Sequence, residues 1–149
     1  MNNLIIQICT GFGLGKSKFF PGTVGSLLGI PISLLLVNLQ WYFQLPLIAI
    51  FILIAIFICD RGEKLLGYKD PSCIVLDEYI TIPITIIGFS NVWAILTGFI
   101  FHRIFDIIKP YPINKLEKFS GGLGIVLDDV AAGILALFIN YILLYSGII

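Results

Sequence analysis

Residues 19–59 read FFPGTVGSLLGIPISLLLVNLQWYFQLPLIAIFILIAIFIC and contain no Asp, Glu, Lys or Arg. Uncharged apolar stretches of this length are the signature of chain immersed in lipid. Inside a bilayer, backbone N–H and C=O groups have no water to bond, so a helix must satisfy them internally. The run is divided at Asn38 to Pro46 (NLQWYFQLP), which is polar and aromatic but uncharged. It therefore predicts two membrane-embedded helices joined by a short turn.

The same pattern recurs along the chain. Tyr79 to His102 and Val130 to Ile149 are also free of Asp, Glu, Lys and Arg, and all eighteen such residues fall in Lys16–Lys18, Asp60–Glu78 and Arg103–Asp129. The chain has 149 residues, the size of one domain spanning 1–149. It is 58% hydrophobic and 12% charged, with mean hydropathy +1.04. A soluble domain carries about 25% charged residues, so this composition predicts an all-α, polytopic membrane helical bundle. About five embedded helices are expected, near Gly22–Val37, Leu45–Leu66, Val75–Ile87, Val92–Ile108 and Leu127–Tyr145. The third and fourth are short against the ~20 residues of a full crossing, and Gly88 to Trp93 (GFSNVW) makes them a shallow hairpin. The alternative, one span over Tyr79 to Phe101, would send Arg103–Asp129 to the opposite side. With the hairpin, all three charged windows share one side and Trp41, Tyr42 and Trp93 mark the other as an interfacial belt. All nine Lys and Arg then lie on the charged side, which the positive-inside bias makes cytoplasmic.

Several function classes drop out. The formal net charge is zero, so no field recommends a nucleic acid. Cys9, Cys59 and Cys73 form no Cys-x-x-Cys pair, hence no zinc site or disulfide framework is expected. Met1 to Thr10 lacks a basic leader region, and no cleavable signal is expected. Gly11-Phe-Gly-Leu-Gly-Lys16-Ser17 imitates a nucleotide phosphate loop, but the first glycine of that pattern would fall at Thr10 and no strand precedes it. No nucleotide is expected.

Four motifs carry candidate chemistry. Pro21-Gly-Thr23-Val-Gly-Ser26-Leu27 places a turn before a helix whose free N–H groups suit a phosphate oxygen, with Thr23 or Ser26 as caps. Asp77-Glu78 follows Asp70-Pro, a common turn opening, and sits at the mouth of an apolar segment. Mg²⁺ favours a few hard oxygens plus water and substrate phosphate; alone, the pair could equally complement a helix dipole. Arg103, Asp106 and Lys109 are spaced by three and share a helical stripe. Arg103 can fork onto phosphate oxygens, Asp106 can hold metal or water, and Lys109 can bind phosphate or snorkel at the membrane edge before Pro110. Gly121-Gly-Leu-Gly-Ile-Val-Leu-Asp128-Asp129 opens the last helix with a second acidic pair, and Ala131 to Gly133 allow close helix approach. Pro110-Tyr111-Pro112 ends the fourth helix, and Ile113–Phe119 (INKLEKF) reads as a short interfacial helix. His102, the single histidine, lies off the stripe and reads as a packing or interfacial residue.

Taken in order and spacing, Pro21-Gly-Thr-x-Gly-Ser-Leu27, Ile74-Val-x-Asp77-Glu78, Arg103-x-x-Asp106-x-x-Lys109-Pro110 and Gly121-Gly-x-Gly-x-x-x-Asp128-Asp129-x-x-Ala-Gly133 resemble the bacterial phosphatidylglycerophosphatase A family. The resemblance implies a helical membrane enzyme that hydrolyses phosphatidylglycerophosphate to phosphatidylglycerol and phosphate, with Mg²⁺, at the inner membrane. On it we expect Asp77, Glu78, Asp128 and Asp129 to hold Mg²⁺. Arg103 and Lys109 would stabilise phosphate charge, Asp106 would orient water or complete the metal shell, and Thr23 and Ser26 would hold phosphate or leaving lipid. Activated water or a direct aspartate attack both suit this set. Alternatives are a phosphatase of another lipid or prenyl phosphate, or a small non-enzymatic transporter with charges through its depth. The CDP-alcohol phosphotransferase pattern is absent, and a catalytic histidine pair cannot be built from His102 alone.

Overall fold

The structure, a computed structural model, describes residues 2–149. Eight helices follow in order: α1 Asn2–Cys9, α2 Pro21–Ser26, α3 Gly29–Leu36, α4 Trp41–Leu66, α5 Leu76–Thr81, α6 Trp93–Ile108, α7 Ile113–Leu116 and α8 Gly122–Tyr145. Two 3₁₀ segments, Gly11–Lys16 and Ile82–Ile86, complete the all-α architecture.

Two helices are long and apolar enough to cross a membrane, α4 with 26 residues and α8 with 24. At 1.5 Å per residue they run about 39 and 36 Å, beyond the ~30 Å of a hydrocarbon core. They differ in position. Only 22% of the most apolar window of α4 is buried, against 50% for α8. Helix α8 is therefore the inner helix, packed on α4, α5, α6 and the Ile82–Ile86 segment. Helix α4 lies on the perimeter and turns Leu53 and Phe57 outward.

The structure revises the expected five embedded helices. The first divides into α2 and α3 at Leu27–Leu28, and α6 has only 16 residues. The third is α5 followed by a 3₁₀ turn, with Pro83 at the start of that turn, where its missing N–H costs little. Every residue from Ile82 to Ile86 is buried, so the shortest segment lies inside the bundle rather than against lipid. The chain turns back between Ile87 and Val92, and Ile82–Ile86 packs against α6. The hairpin forms, and the single span over 79–101 does not. Helix α7 ends at Leu116 and buries Ile113, so it is shorter than the interfacial helix expected over 113–119.

Helix α8 begins at Gly122, not Leu127. A Cβ at Gly122 would collide with the Ile56 carbonyl of α4, so glycine is what lets the two helices meet there. The glycines of α2–α3 act alike toward α5: side chains at Gly25 and Gly29 would strike Val75 and Ile82.

Two apolar clusters fill the interior. One joins Cys9, Cys59, Val75, Tyr79 and Val126 near the charged end. The other joins Leu36, Ile48, Ile84, Ile86, Phe89 and Ile95 at the far end. Around the second, neutral polar side chains serve the irregular backbone. Asn140 Nδ2 donates to the Thr85 and Ala94 carbonyls at 2.9 and 2.8 Å, and Thr97 Oγ1 donates to Asn140 Oδ1 at 2.7 Å. Gln44 Nε2 donates to the Leu36 carbonyl at 3.2 Å, and Gln44 Oε1 accepts from Gly88 N–H at 2.8 Å. Tyr141 donates to the Ile87 carbonyl at 2.9 Å. Non-helical backbone at membrane depth needs such partners.

Candidate active site

A cavity of about 510 Å³ opens at the charged end, between the start of α2, α5, the end of α6 and α8. Asp77, Glu78, Arg103, Asp106, Lys109, Asp128, Asp129 and Thr23 all line it. Segments more than 50 residues apart in sequence thus deliver their charged groups to one pocket. Ser26 does not line it. Fully buried, its hydroxyl lies 2.8 Å from the Gly22 carbonyl and 3.2 Å from Glu78 Oε2, where it orients the carboxylate from behind.

Each element delivers its residue for a local reason. Pro21 starts α2, preceded by Phe20 in the left-handed region, and no side chain caps the helix, so neither Thr23 nor Ser26 plays the capping role expected of it. A Cβ at Gly22 would overlap Glu78 Oε1, so that glycine makes room for the carboxylate. Asp77 and Glu78 occupy the first turn of α5, as expected. Asp128 and Asp129 do not open α8; with the helix beginning at Gly122 they lie about two turns in, and its first turn holds no acid. A dipole cap therefore does not account for this pair, since that effect fades within the first turn.

The stripe on α6 holds in part. Arg103 Nη1 approaches Asp106 Oδ2 at 2.8 Å and Glu78 Oε1 at 3.4 Å. These are ion pairs by distance, but Arg103 Nε and Nη1 are buried without an aligned hydrogen-bond acceptor. Lys109 leaves the helix: it is the C-terminal residue past α6, with φ 46°, and its N–H bonds the Phe105 carbonyl at 2.8 Å. That reversal brings Nζ to 2.7 Å from Asp128 Oδ2 and 2.9 Å from Glu117 Oε2, inward rather than snorkelling out. Burial disfavours the Lys109 ammonium, but the hydrogen bonds to Asp128 and Glu117 outweigh it and hold its pKa above the ordinary lysine range. Glu117 is correspondingly held below the usual carboxylate range by the hydrogen bond from Lys109.

His102 is fully buried and does not line the cavity, in keeping with a packing role. Its Nε2 lies 2.9 Å from Thr81 Oγ1, which donates to the Asp77 and Glu78 carbonyls at 2.8 and 3.1 Å. Asp70, read from the sequence as a turn opening, and Ser72, which that reading passed over, also line the cavity. Asp70 lies in the same charged window as Asp77, and that proximity was its available signal.

Six carboxylates and two cations line this cavity. Asp77 Oδ1, Asp128 Oδ1 and Asp129 Oδ1 are buried without a hydrogen-bond partner, a costly condition for an anionic oxygen unless a cation meets it. As hard oxygen donors they suit Mg²⁺ in chemistry. Among the described residues, however, no group of three or more His, Cys, Asp or Glu side chains is arranged as a ready-made metal cage. Both Glu78 oxygens face partners, Arg103 and Ser26, leaving the three aspartates as the available oxygens. Charges gather here and not through the depth of the bundle, where the buried polar groups are the neutral Gln44, Thr85 and Asn140. A transport pathway would need the reverse.

Comparison with known proteins finds relatives along nearly the whole chain. The chain is 36% identical over 144 residues to phosphatidylglycerophosphatase A of Escherichia coli, covering 95% of this chain and 84% of the relative. It is 34% identical over 147 residues to phosphatidylglycerophosphatase A of Haemophilus influenzae, covering 96% and 90%. A Bacteroides thetaiotaomicron protein named "Putative phosphatidylinositol-3-phosphatase" is 37% identical over 145 residues, covering 88% and 87%. No solved structure matches. A family description of phosphatidylglycerophosphatase A fits residues 7–144, and with two such relatives aligned over nearly its whole length, this chain belongs to the phosphatidylglycerophosphatase A family of lipid phosphatases, phosphoric monoester hydrolases.

Proposed function

We propose that the protein hydrolyses the terminal phosphate of phosphatidylglycerophosphate, giving phosphatidylglycerol and inorganic phosphate, at the cytoplasmic face of a bacterial inner membrane. One observation carries this reading: a single cavity holds buried acceptors without donors and buried donors without acceptors. A phosphate group beside a divalent cation satisfies both. The cytoplasmic orientation rests on the confinement of all nine Lys and Arg to the charged windows.

Asp77, Asp128 and Asp129 would hold Mg²⁺, with Glu78 beside them. Bound there, the ion supplies positive charge against the phosphate and makes a water easier to deprotonate. Arg103, braced through Nη1 by Glu78 and Asp106, presents its guanidinium to the phosphate oxygens, where charge develops in phosphoryl transfer. Lys109, just past the end of the same helix, adds a second cation beside Asp128. Asp106 orients the attacking water. The water oxygen bonds to phosphorus as the P–O bond to the headgroup glycerol breaks, a proton from that water passes to the leaving glycerol oxygen, and inorganic phosphate departs. Thr23 borders the cavity and serves the departing glycerol.

Single Asp77→Asn, Asp106→Asn and Asp129→Asn variants, purified in detergent, test the assignment through phosphate release from the lipid, with and without Mg²⁺ and chelator. Each should lose roughly 10²-fold or more in kcat. Near-normal turnover by all three well-folded variants rejects it. The Bacteroides relative favours one second reading, a phosphatase of another phosphorylated lipid. A panel of phosphatidylglycerophosphate, phosphatidylinositol 3-phosphate and prenyl phosphates separates the two by kcat/KM.

A further inference from the structure

The cavity and a second, apolar groove are bordered by the same two stretches of chain. This groove, of about 450 Å³, lies between α3 and α6, lined by Ile30, Leu34, Val92, Trp93, Ile95 and Leu96. The same two walls, α2–α3 and α6, continue into the cavity, whose rim includes Phe20 and Ile107. The walls run in opposite directions. Going down α2–α3 from Thr23 at the cavity leads to Ile30 and Leu34 at the groove, while going back along α6 from Arg103 leads to Leu96 and Trp93.

Between these endpoints the exposed side chains form two tracks. On α6, Ile100 and Ile104 are 46% and 40% exposed and bridge Leu96 to Ile107 at helical spacings of three and four. On the other wall, Leu27 is 48% exposed, midway in sequence between Phe20 and Leu34. No charged side chain lies between Phe20 and Leu34, nor between Trp93 and Arg103. From Trp93 to Ile107 the track measures about 21 Å at 1.5 Å per residue, more than the ~15 Å depth of one leaflet.

We infer that this α3/α6 groove is the acyl-chain site of the enzyme, and that it takes a hydrocarbon chain of the phospholipid whose phosphate occupies the cavity. The inference rests on the lipid-phosphatase reading above and adds where the substrate's tail lies. The phosphate end and the apolar end differ in what they recognise, so their contributions separate experimentally. Each CH₂ that an acyl chain buries in the groove leaves water, which favours long chains over short ones when substrate is presented in dilute detergent.

The test uses the detergent-purified full chain. Wild type, Leu34→Phe with Leu96→Phe together, and the control Leu53→Phe, whose side chain projects from the perimeter of α4, are assayed on phosphatidylglycerophosphate with two long or two four-carbon chains. Wild type and control should prefer the long-chain ester by at least tenfold in kcat/KM, and the filled-groove variant should lose that preference at least tenfold. Equal preference in all three proteins overturns the inference. Wild type turning over neither ester refutes the parent reading instead. A second readout then still decides the groove. With Trp41→Phe, Trp93 is the remaining tryptophan, and a brominated-chain phosphomonoester lipid should quench it saturably, at least tenfold more weakly when Leu34 and Leu96 are both Phe. Equal quenching with and without those substitutions overturns the inference.

Discussion

The two ends of the bundle treat buried polarity in opposite ways. At the far end, Asn140, Gln44 and Tyr141 reach carbonyls and N–H groups freed where the chain turns between Thr85 and Ala94, and those bonds are 2.8 to 3.4 Å long. At the charged end, three aspartate oxygens and Arg103 Nε remain buried without a hydrogen-bond partner. The first arrangement is what a membrane fold needs to close its backbone. The second would be a defect if the protein acted alone, and it is explained once a charged ligand is part of the site. The neutral groups around the turn are thus satisfied from within, whereas the charged groups of the cavity are left open.

The strongest way to break this contrast is Asp129→Asn. We expect about a 10³-fold fall in kcat together with equal or greater heat stability in Mg²⁺-free buffer, because one of several crowded anions has gone. Wild type should gain thermal stability on Mg²⁺ addition, by about 2.7 kcal/mol at a hundred times Kd, and the variant should lose most of that gain. A thermal melt with and without the ion reads both effects, and a variant that melts lower and still responds fully would contradict the contrast. Next in size is Arg103→Lys, which keeps the charge but removes the fork. Roughly 10²-fold lower kcat/KM with unchanged expression is expected, measured by phosphate release.

Asn140→Leu probes the other end. It leaves the Thr85 and Ala94 carbonyls without their donor, at a cost of about 3 kcal/mol, while turnover per folded molecule should stay near wild type. Loss of activity without loss of stability would show that the two ends are not separate in function. Smallest is Glu117→Gln at the exposed side of Lys109. Surface ion pairs contribute about 0–1 kcal/mol, so a change in melting within a degree or two and roughly twofold in activity is expected, shrinking with added salt.

The contrast also explains what the sequence reveals. Charged residues in so apolar a chain have few places to go, so Asp77, Glu78, Arg103, Asp106, Lys109, Asp128 and Asp129 are legible as one site before any coordinates. Asn140 and Gln44 are not legible: their partners lie 46 to 55 residues away, or 8 and 45, and neither residue has a local pattern. The start of α8 is misplaced for a related reason. Gly121-Gly-Leu-Gly looks like a helix break, but its glycines answer to the neighbouring Ile56 and Phe119 carbonyls, which no local rule contains. Ser26 looks like a phosphate ligand until α5 is seen to pass behind it. Of the five expected segments, the first divides into α2 and α3, the second begins at Trp41 inside the expected turn, and the last begins at Gly122. The buried turn after α5 shows that hydropathy alone does not separate a lipid-facing segment from a buried one.

Lys109 shows one more consequence. A lysine with φ 46° sits in the left-handed region, which costs a residue with a Cβ about 1–2 kcal/mol and which glycine would occupy freely. Glycine there would relieve the helix end but would remove the ammonium that reaches Asp128 and, on the proposed mechanism, a cation beside the phosphate. That position is where durability and speed compete, and a Lys109→Gly chain should outlast its parent in storage while working more slowly.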